Sequence, residues 1–219
     1  CSKDESEKLF KYMNILLEWN EKMNLTAITD ESEIISKHFV DSLTILKYIK
    51  NNNNVIDVGT GAGFPGIPLA IFKKDAKFTL LDSLNKRINF LNEVKEKIGI
   101  DNVENIHGRA EDYGQNKEYR ECFDIAVSRA VAPMHVLLEY LLPFVKVGGM
   151  CICMKGPNVS EEIKDIENVA KKLGAQLVET ENLKLLNGEI ERNIIILKKI
   201  KNTDKKYPRK AGTPSKQPL

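Results

Sequence analysis

Long apolar runs are missing from this chain. None approaches the ~18 residues that a membrane-spanning helix needs, which excludes a helical membrane protein. The first twenty residues are charged and amphipathic and show no signal-peptide pattern. Residue 1 is Cys rather than Met, as expected of a start that has been cut or engineered, with an upstream segment left off. Cysteine is sparse: Cys1, Cys122, Cys151 and Cys153 form no CxxC pair and have no His at ligand spacing. No metal site is therefore predicted. Cys151 and Cys153, two apart in an apolar run, are expected to share one face of a strand as free buried thiols in a reducing cytosol. Internal repeats are lacking, and so is any large net charge.

What is present fits one soluble domain with short additions at its ends. The chain has 219 residues, 42% of them apolar and 29% charged, enough for a core and a solvated surface. The net charge of +2 hides an asymmetry. Residues 198–219 hold eight Lys/Arg against Asp204 alone, or +7, while the remainder carries 25 basic and 30 acidic residues, or −5. A basic arm on a mildly acidic body is a usual way to hold a polyanion, although a solubilising tail has the same composition.

Residues 4–23 read as an amphipathic helix with a stripe of Leu9, Phe10, Met13, Leu16 and Leu17. Asn24-Leu25-Thr26 interrupts it, and Asp30 is placed to cap a second helix over 31–49. The rhythm then changes to strands at 55–58, 78–82, 103–107, 123–128 and 149–155, alternating with helices at 65–72, 84–98, 133–142 and 159–173. Two last strands, 175–186 and 191–199, are joined through Asn187-Gly188, a hairpin-type turn. The alternation predicts an α/β fold whose sheet is mostly parallel, with an antiparallel last strand. The predicted divisions are a helical extension over 1–52, a ligand-binding core over 53–200, and a basic tail over 201–219. The tail is low in apolar residues and expected to be mobile.

The most informative stretch is Asp57-Val58-Gly59-Thr60-Gly61-Ala62-Gly63-Phe64-Pro65-Gly66, which ends a strand and opens a helix. Such loops lie at the carboxyl edge of a parallel sheet, and their glycines let a ligand approach the backbone. Residues 61–66 match the dinucleotide fingerprint GxGxxG literally. The wider Asp57-x-Gly59-x-Gly61-x-Gly63 pattern resembles motif I of class I methyltransferases, where the loop wraps the methionine part of S-adenosylmethionine. Asp82, at the next strand end, is suited to accept ribose hydroxyls or to cap the helix after it. Gly108-Arg109-Ala110-Glu111 ends the third strand where an adenine is commonly read. Arg129 ends the fourth, and a charge at that edge calls for an anion or base edge more than for a plain salt bridge.

Taken together, the chain resembles the GidB/RsmG family, the guanine-N7 methyltransferases of bacterial small-subunit ribosomal RNA. The resemblance is carried by Trp19-Asn20 with Asn24-Leu25-Thr26, His38 with Asp41-Ser42-Leu43, and the glycine segment through Ala70. Leu80-Leu81-Asp82-Ser83 with Lys86-Arg87, Gly108 to Glu111, Ser128-Arg129-Ala130, Lys155-Gly156 and Tyr207 to Gly212 complete it. Lys37 stands where an Arg is common in the family. The resemblance implies a class I methyltransferase (Rossmann-like) fold, a cytoplasmic location, no metal, and a guanine in the decoding-region loop of 16S rRNA or the small subunit as substrate. A monomer fits this reading. It also implies S-adenosyl-L-methionine contacts at Gly59, Phe64, Ala110, Glu111 and Arg129, to which the loop pattern adds Gly61 and Gly63 and the end of the second strand adds Asp82.

Guanine N7 is already nucleophilic, so the chemistry asks for orientation rather than a general base. Arg129, His38 and Asp41 are the candidate catalytic residues. His38 and Asp41 lie three apart on one helix face, where they either orient the guanine or lock the N-terminal helices to the sheet. Three other readings compete: a nicotinamide dehydrogenase, a small-molecule methyltransferase, and a non-catalytic S-adenosylmethionine-binding RNA chaperone.

Overall fold

A computed structural model describes residues 1–129, 131–157, 159–188 and 190–219. Ala130 of the Ser128-Arg129-Ala130 segment and Glu189 beside the predicted hairpin turn lie outside the described residues.

Helix α1 (Lys3–Asn20) starts at a capping box: Ser2 Oγ accepts the Glu5 N–H, and the Glu5 carboxylate accepts the Ser2 N–H. It buries Tyr12, Met13, Ile15 and Leu16. Phe10, expected in that stripe, is 57% exposed, because the buried face turns about Tyr12 instead. The helix predicted over 31–49 is broken into α2 (Glu31–Ile34), a π-helical turn (Ile35–Val40) and α3 (Asp41–Leu43), followed by a 3-10 turn. The main-chain carbonyl of His38 accepts from the Ser42 hydroxyl and from Arg129, and that of Lys37 from Arg129, so these carbonyls find side-chain donors as well as the helix ladder.

The sheet has seven strands: β1 (Asn54–Val58), β2 (Lys77–Asp82), β3 (Val103–His107), β4 (Phe123–Arg129), β5 (Val145–Lys155), β6 (Ala175–Leu185) and β7 (Ile190–Lys199). Their spatial order is β3-β2-β1-β4-β5-β7-β6. The first five are parallel; β7 pairs antiparallel with both β5 and β6, as the short connection between the last two strands requires. Alternate residues feed two cores. Val55, Phe78, Leu80, Ile125 and Val127 pack with α1, the π-helical turn, α4 (Gly66–Phe72) and α5 (Asn85–Ile98). Ile56, Val58, Ala126, Cys151 and Cys153 pack with α6 (Met134–Leu141) and α7 (Ile166–Lys172). The two thiols are fully buried with sulfurs 3.8 Å apart on one strand face. The helices of residues 1–52 thus share a continuous core with the sheet.

The segment after β7 is not a free arm. Arg120 donates to the carbonyls of Thr203, Asp204 and Tyr207. Arg209 forms a two-pronged pair with the fully buried Glu139, with contacts of 2.6–3.1 Å. The Gly212 N–H donates to Glu111 Oε1 at 3.0 Å. Apolar content alone forecasts mobility here. The strap is instead held by charged side chains hydrogen-bonded to its backbone, Arg120 as donor and Glu111 as acceptor, and by one buried ion pair, which composition does not register.

Candidate functional site

Strand order reverses between β1 and β4, and in open α/β sheets ligands bind at the carboxyl side of that switch. The glycine loop after β1 and Arg129 at the end of β4 meet there. A cavity of about 690 Å³ is lined by Gly59, Gly61, Phe64, Asp82, His38, Asp41 and Arg129, all read from the sequence. An adjoining hollow of about 350 Å³ is lined by Ala110 and Glu111, with Gly212 from the C-terminal strap. The two share Gly59, Asp82, Ser83 and Val131, so they form one elongated site. A larger hollow of about 950 Å³ lies at the opposite edge of the sheet, beside Asn54, Lys77, Val103 and Phe123, and none of the predicted residues lines it.

Gly59 and Gly61 take φ values of +70° and +61°, a region that favours glycine. Around a Cβ placed at Gly61 there is no atom within 4 Å, so its backbone lies open to the cavity. At Gly59 a Cβ would stand 2.7 Å from the Val131 side chain. Gly63, assigned to the cofactor from the loop pattern, lines neither hollow. It faces inward, and a Cβ there would strike Ile67, the Tyr12 hydroxyl and Leu91. Gly63 is therefore a packing position. This also weakens the dinucleotide reading, in which the second glycine of the fingerprint must admit a pyrophosphate.

Below the loop, Asp57 is fully buried. Its Oδ2 accepts the Thr60 hydroxyl and the Gly66 N–H, while Oδ1 has no partner among the described residues. Burial pushes its carboxyl up to about 6. Asp82, at the end of β2, accepts from Gly61 N–H and Leu84 N–H at 2.9 Å and from Arg87 at 3.2 Å. Three donors already occupy this carboxylate, and its remaining acceptor position is open to a ligand hydroxyl on the cavity side.

Arg129, His38 and Asp41 form one network on a phenyl platform. His38 stacks on Phe64 with centroids 4.5 Å apart, and the Arg129 guanidinium lies 4.9 Å from the same ring. Arg129 donates to Asp41 Oδ2 at 3.0 Å and to His38 Nδ1 at 3.1 Å. Asp41 is completely buried and its other oxygen accepts Arg192 Nε at 2.9 Å. Both Asp41 oxygens are taken by guanidinium groups, the kind of contact that the locking role calls for. Arg129 likewise makes the salt bridge that was the lesser expectation, yet it still lines the cavity. Burial and the adjacent Arg129 charge hold His38 down to about 4, so the ring is neutral near pH 7.

Sequence reading gave no role to Arg192, Val131 or Tyr12. Arg192 lies in Glu191-Arg192-Asn193, a polar run opening an otherwise apolar strand, which was a legible signal. Lys37, Arg87 and Lys155 also line the cavity; Lys37 pairs with Glu33 and Lys155 with Glu162, so with Asp41 and Asp82 four acids meet five Lys/Arg, a mildly positive setting for an anionic substrate. Among the described residues no group of three His, Cys, Asp or Glu side chains could hold a metal ion, and no helix is long and apolar enough to cross a membrane.

The family model for rRNA small subunit methyltransferase G matches residues 5–195. A ribosomal RNA small subunit methyltransferase G from Alkaliphilus metalliredigens is 53% identical over 99% of this chain and 91% of its own length. One from Alkaliphilus oremlandii is 56% identical over 97% and 90%. Among solved structures, M. jannaschii TYW2 in complex with AdoMet superposes with a TM-score of 0.57 at 19% identity, covering 74% of this chain and 76% of that one. TrmN from Thermus thermophilus gives 0.56 at 14% identity, with 73% and 48% covered. The fold is the class I methyltransferase fold.

Proposed function

The chain belongs to the rRNA small subunit methyltransferase G family, and on that premise we propose that it methylates N7 of a guanine in the decoding-region loop of 16S ribosomal RNA, in the cytoplasm, with S-adenosylmethionine as methyl donor. The observation that carries this reading is the elongated site at the β1/β4 switch, with an open glycine backbone at one side and a surplus of cations at the other.

The residues present fit the cofactor. Gly61 offers a backbone position where any side chain would fill the cavity, and Gly59 joins the two hollows. Gly59, Gly61 and Asp82 would hold its centre, and Ala110 with Glu111 the adenosyl end, next to Gly212. When bound, S-adenosylmethionine supplies a methyl group activated by a positive sulfur.

Guanine N7 carries a lone pair and no proton, so no residue has to remove one. His38 is not placed to do so, because both ring nitrogens are committed and the Phe64 face is stacked on it. The chain's work is orientation, which can contribute up to about 7–11 kcal/mol in favourable cases. Asp41 fixes Arg129 and Arg192 against one another, and the fixed guanidinium groups present positive charge toward the incoming RNA. Both cavity carboxylates are already paired with arginines, so they do not repel that polyanion.

The test is transfer of a tritiated methyl group from S-adenosylmethionine to small-subunit RNA, offered both free and in the assembled subunit, followed by mapping of the modified base. Label at N7 of a guanine is expected; label at another atom, or none on either form, overturns the proposal.

A further inference from the structure

The Asn24-Leu25-Thr26 segment ends beside the cavity without a role in the site so far. Asn20 Oδ1, at the end of α1, accepts the Leu25 and Thr26 N–H groups at 2.8 and 3.0 Å and so fixes this loop. Thr26 Oγ1 accepts the Ile28 N–H at 3.1 Å and lies 2.8 Å from His38 Nε2. Which atom donates in that second contact is decided across the imidazole. Arg129 has donors only, and its guanidinium stands 3.1 Å from His38 Nδ1, so Nδ1 is the bare nitrogen. The neutral ring then carries its proton on Nε2 and donates it to Thr26.

Both lone pairs of the Thr26 hydroxyl are thereby filled, and its own hydrogen has no acceptor among the described residues. Thr26 lines the cavity with Lys37, His38 and Arg129. We infer that Thr26 is a substrate contact: a neutral donor of one hydrogen bond to an acceptor oxygen of the incoming nucleotide, with His38 and Asn20 as positioning residues. A hydroxyl in this state can donate but not accept, so it is matched to O6 of guanine or to a phosphate oxygen, and mismatched to the N1–H and amino hydrogens. His38 acts through Thr26, by filling the lone pair that would otherwise make the hydroxyl ambivalent.

The inference rests on the methyl-transfer reading of the cavity, and the experiment separates the two. Thr26→Val, Thr26→Ser and wild type are compared for S-adenosylhomocysteine affinity, for methyl transfer to small-subunit RNA, and for the His38 tautomer by nitrogen-15 NMR. Thr26→Val is expected to lose about tenfold in kcat/KM, mainly through KM, with cofactor affinity retained; Thr26→Ser is expected to restore it. The wild-type ring is expected as the Nε2–H tautomer. Using 2-aminopurine in place of the target guanine removes O6. A Thr26→Val effect that vanishes on that RNA assigns the contact to the base, and one that persists assigns it to phosphate. An unchanged KM in Thr26→Val, or a wild-type ring protonated on Nδ1, overturns the inference. Absence of methyl transfer by wild type would overturn the functional reading instead, and the tautomer would still be measurable.

Discussion

The Tyr12 hydroxyl donates to the carbonyl of Ala62, fifty residues further along the chain, and so ties α1 to the glycine loop. The tyrosine is fully buried, its ring lies 5.3 Å from Phe64 and 5.6 Å from Phe39, and its hydroxyl occupies the space that a side chain at Gly63 would need. The N-terminal helix is thus part of the wall behind the proposed cofactor site. Tyr12→Phe keeps the ring but leaves the Ala62 carbonyl without this donor, a loss of about 1–3 kcal/mol if it becomes unsatisfied. Urea denaturation should show that loss, and S-adenosylhomocysteine should bind more weakly. Unchanged stability and affinity would mean that the loop holds its shape without α1.

Much of this arrangement was legible in the sequence because it is periodic or local. The strand alternation gave the sheet, and the glycine loop with Asp82 gave the cavity floor. What was not legible depends on contacts between distant segments. The π-helical turn arises in a stretch that reads as plain helix, where Arg129, some ninety residues away, reaches the carbonyls of Lys37 and His38. Gly63 belongs to the glycine pattern yet faces Tyr12, which no local motif announces. The docking of the C-terminal strap depends on Arg120 and Glu139, single residues in unremarkable contexts.

The half-buried His38 and the fully buried Asp57 titrate against one another. His38 is held down to about 4 from 6.5, so the unfolded chain binds a proton that the folded one refuses as pH falls through that window, and stability is lost. Asp57 is held up at about 6 from 3.8, so the folded chain takes its proton first and stability is gained over nearly the same range. Each is worth about 3 kcal/mol and they nearly cancel. Asp57→Asn removes the gain, so its stability relative to wild type should fall between pH 6 and pH 4. His38→Asn should behave in the opposite sense. Chemical denaturation of the three proteins at several pH values measures this, and parallel curves would refute both shifts.

Buried Glu139 is matched by Arg209 through both carboxylate oxygens. Arg209→Ala leaves that carboxylate without its counter-charge, at a cost of about 3–5 kcal/mol, whereas changing both partners to Arg209→Met and Glu139→Leu should cost much less. Because Gly212 lines the hollow proposed for the adenosyl group, the single change should also weaken S-adenosylhomocysteine binding. Thermal denaturation together with titration calorimetry checks both. If the double change is as damaging as the single one, the pair does more than balance charge.

Deleting the strap is a poor test of RNA contact, since the deletion would remove Thr203, Tyr207 and Arg209 from the packed body. Lys205, Lys206 and Lys210 are exposed on the docked strap, and neutralising them leaves its anchors in place. The triple change to Gln should weaken RNA binding and flatten the dependence of log affinity on log salt. Each lost phosphate contact lowers the slope by about 0.7–0.9. S-adenosylhomocysteine affinity should be unchanged, because none of the three lines the hollow that Gly212 closes. A salt slope equal to wild type would show that these lysines face solvent in the complex. The RNA would then be held by the cavity cations, among which Arg192 and Lys155 would be the next to neutralise.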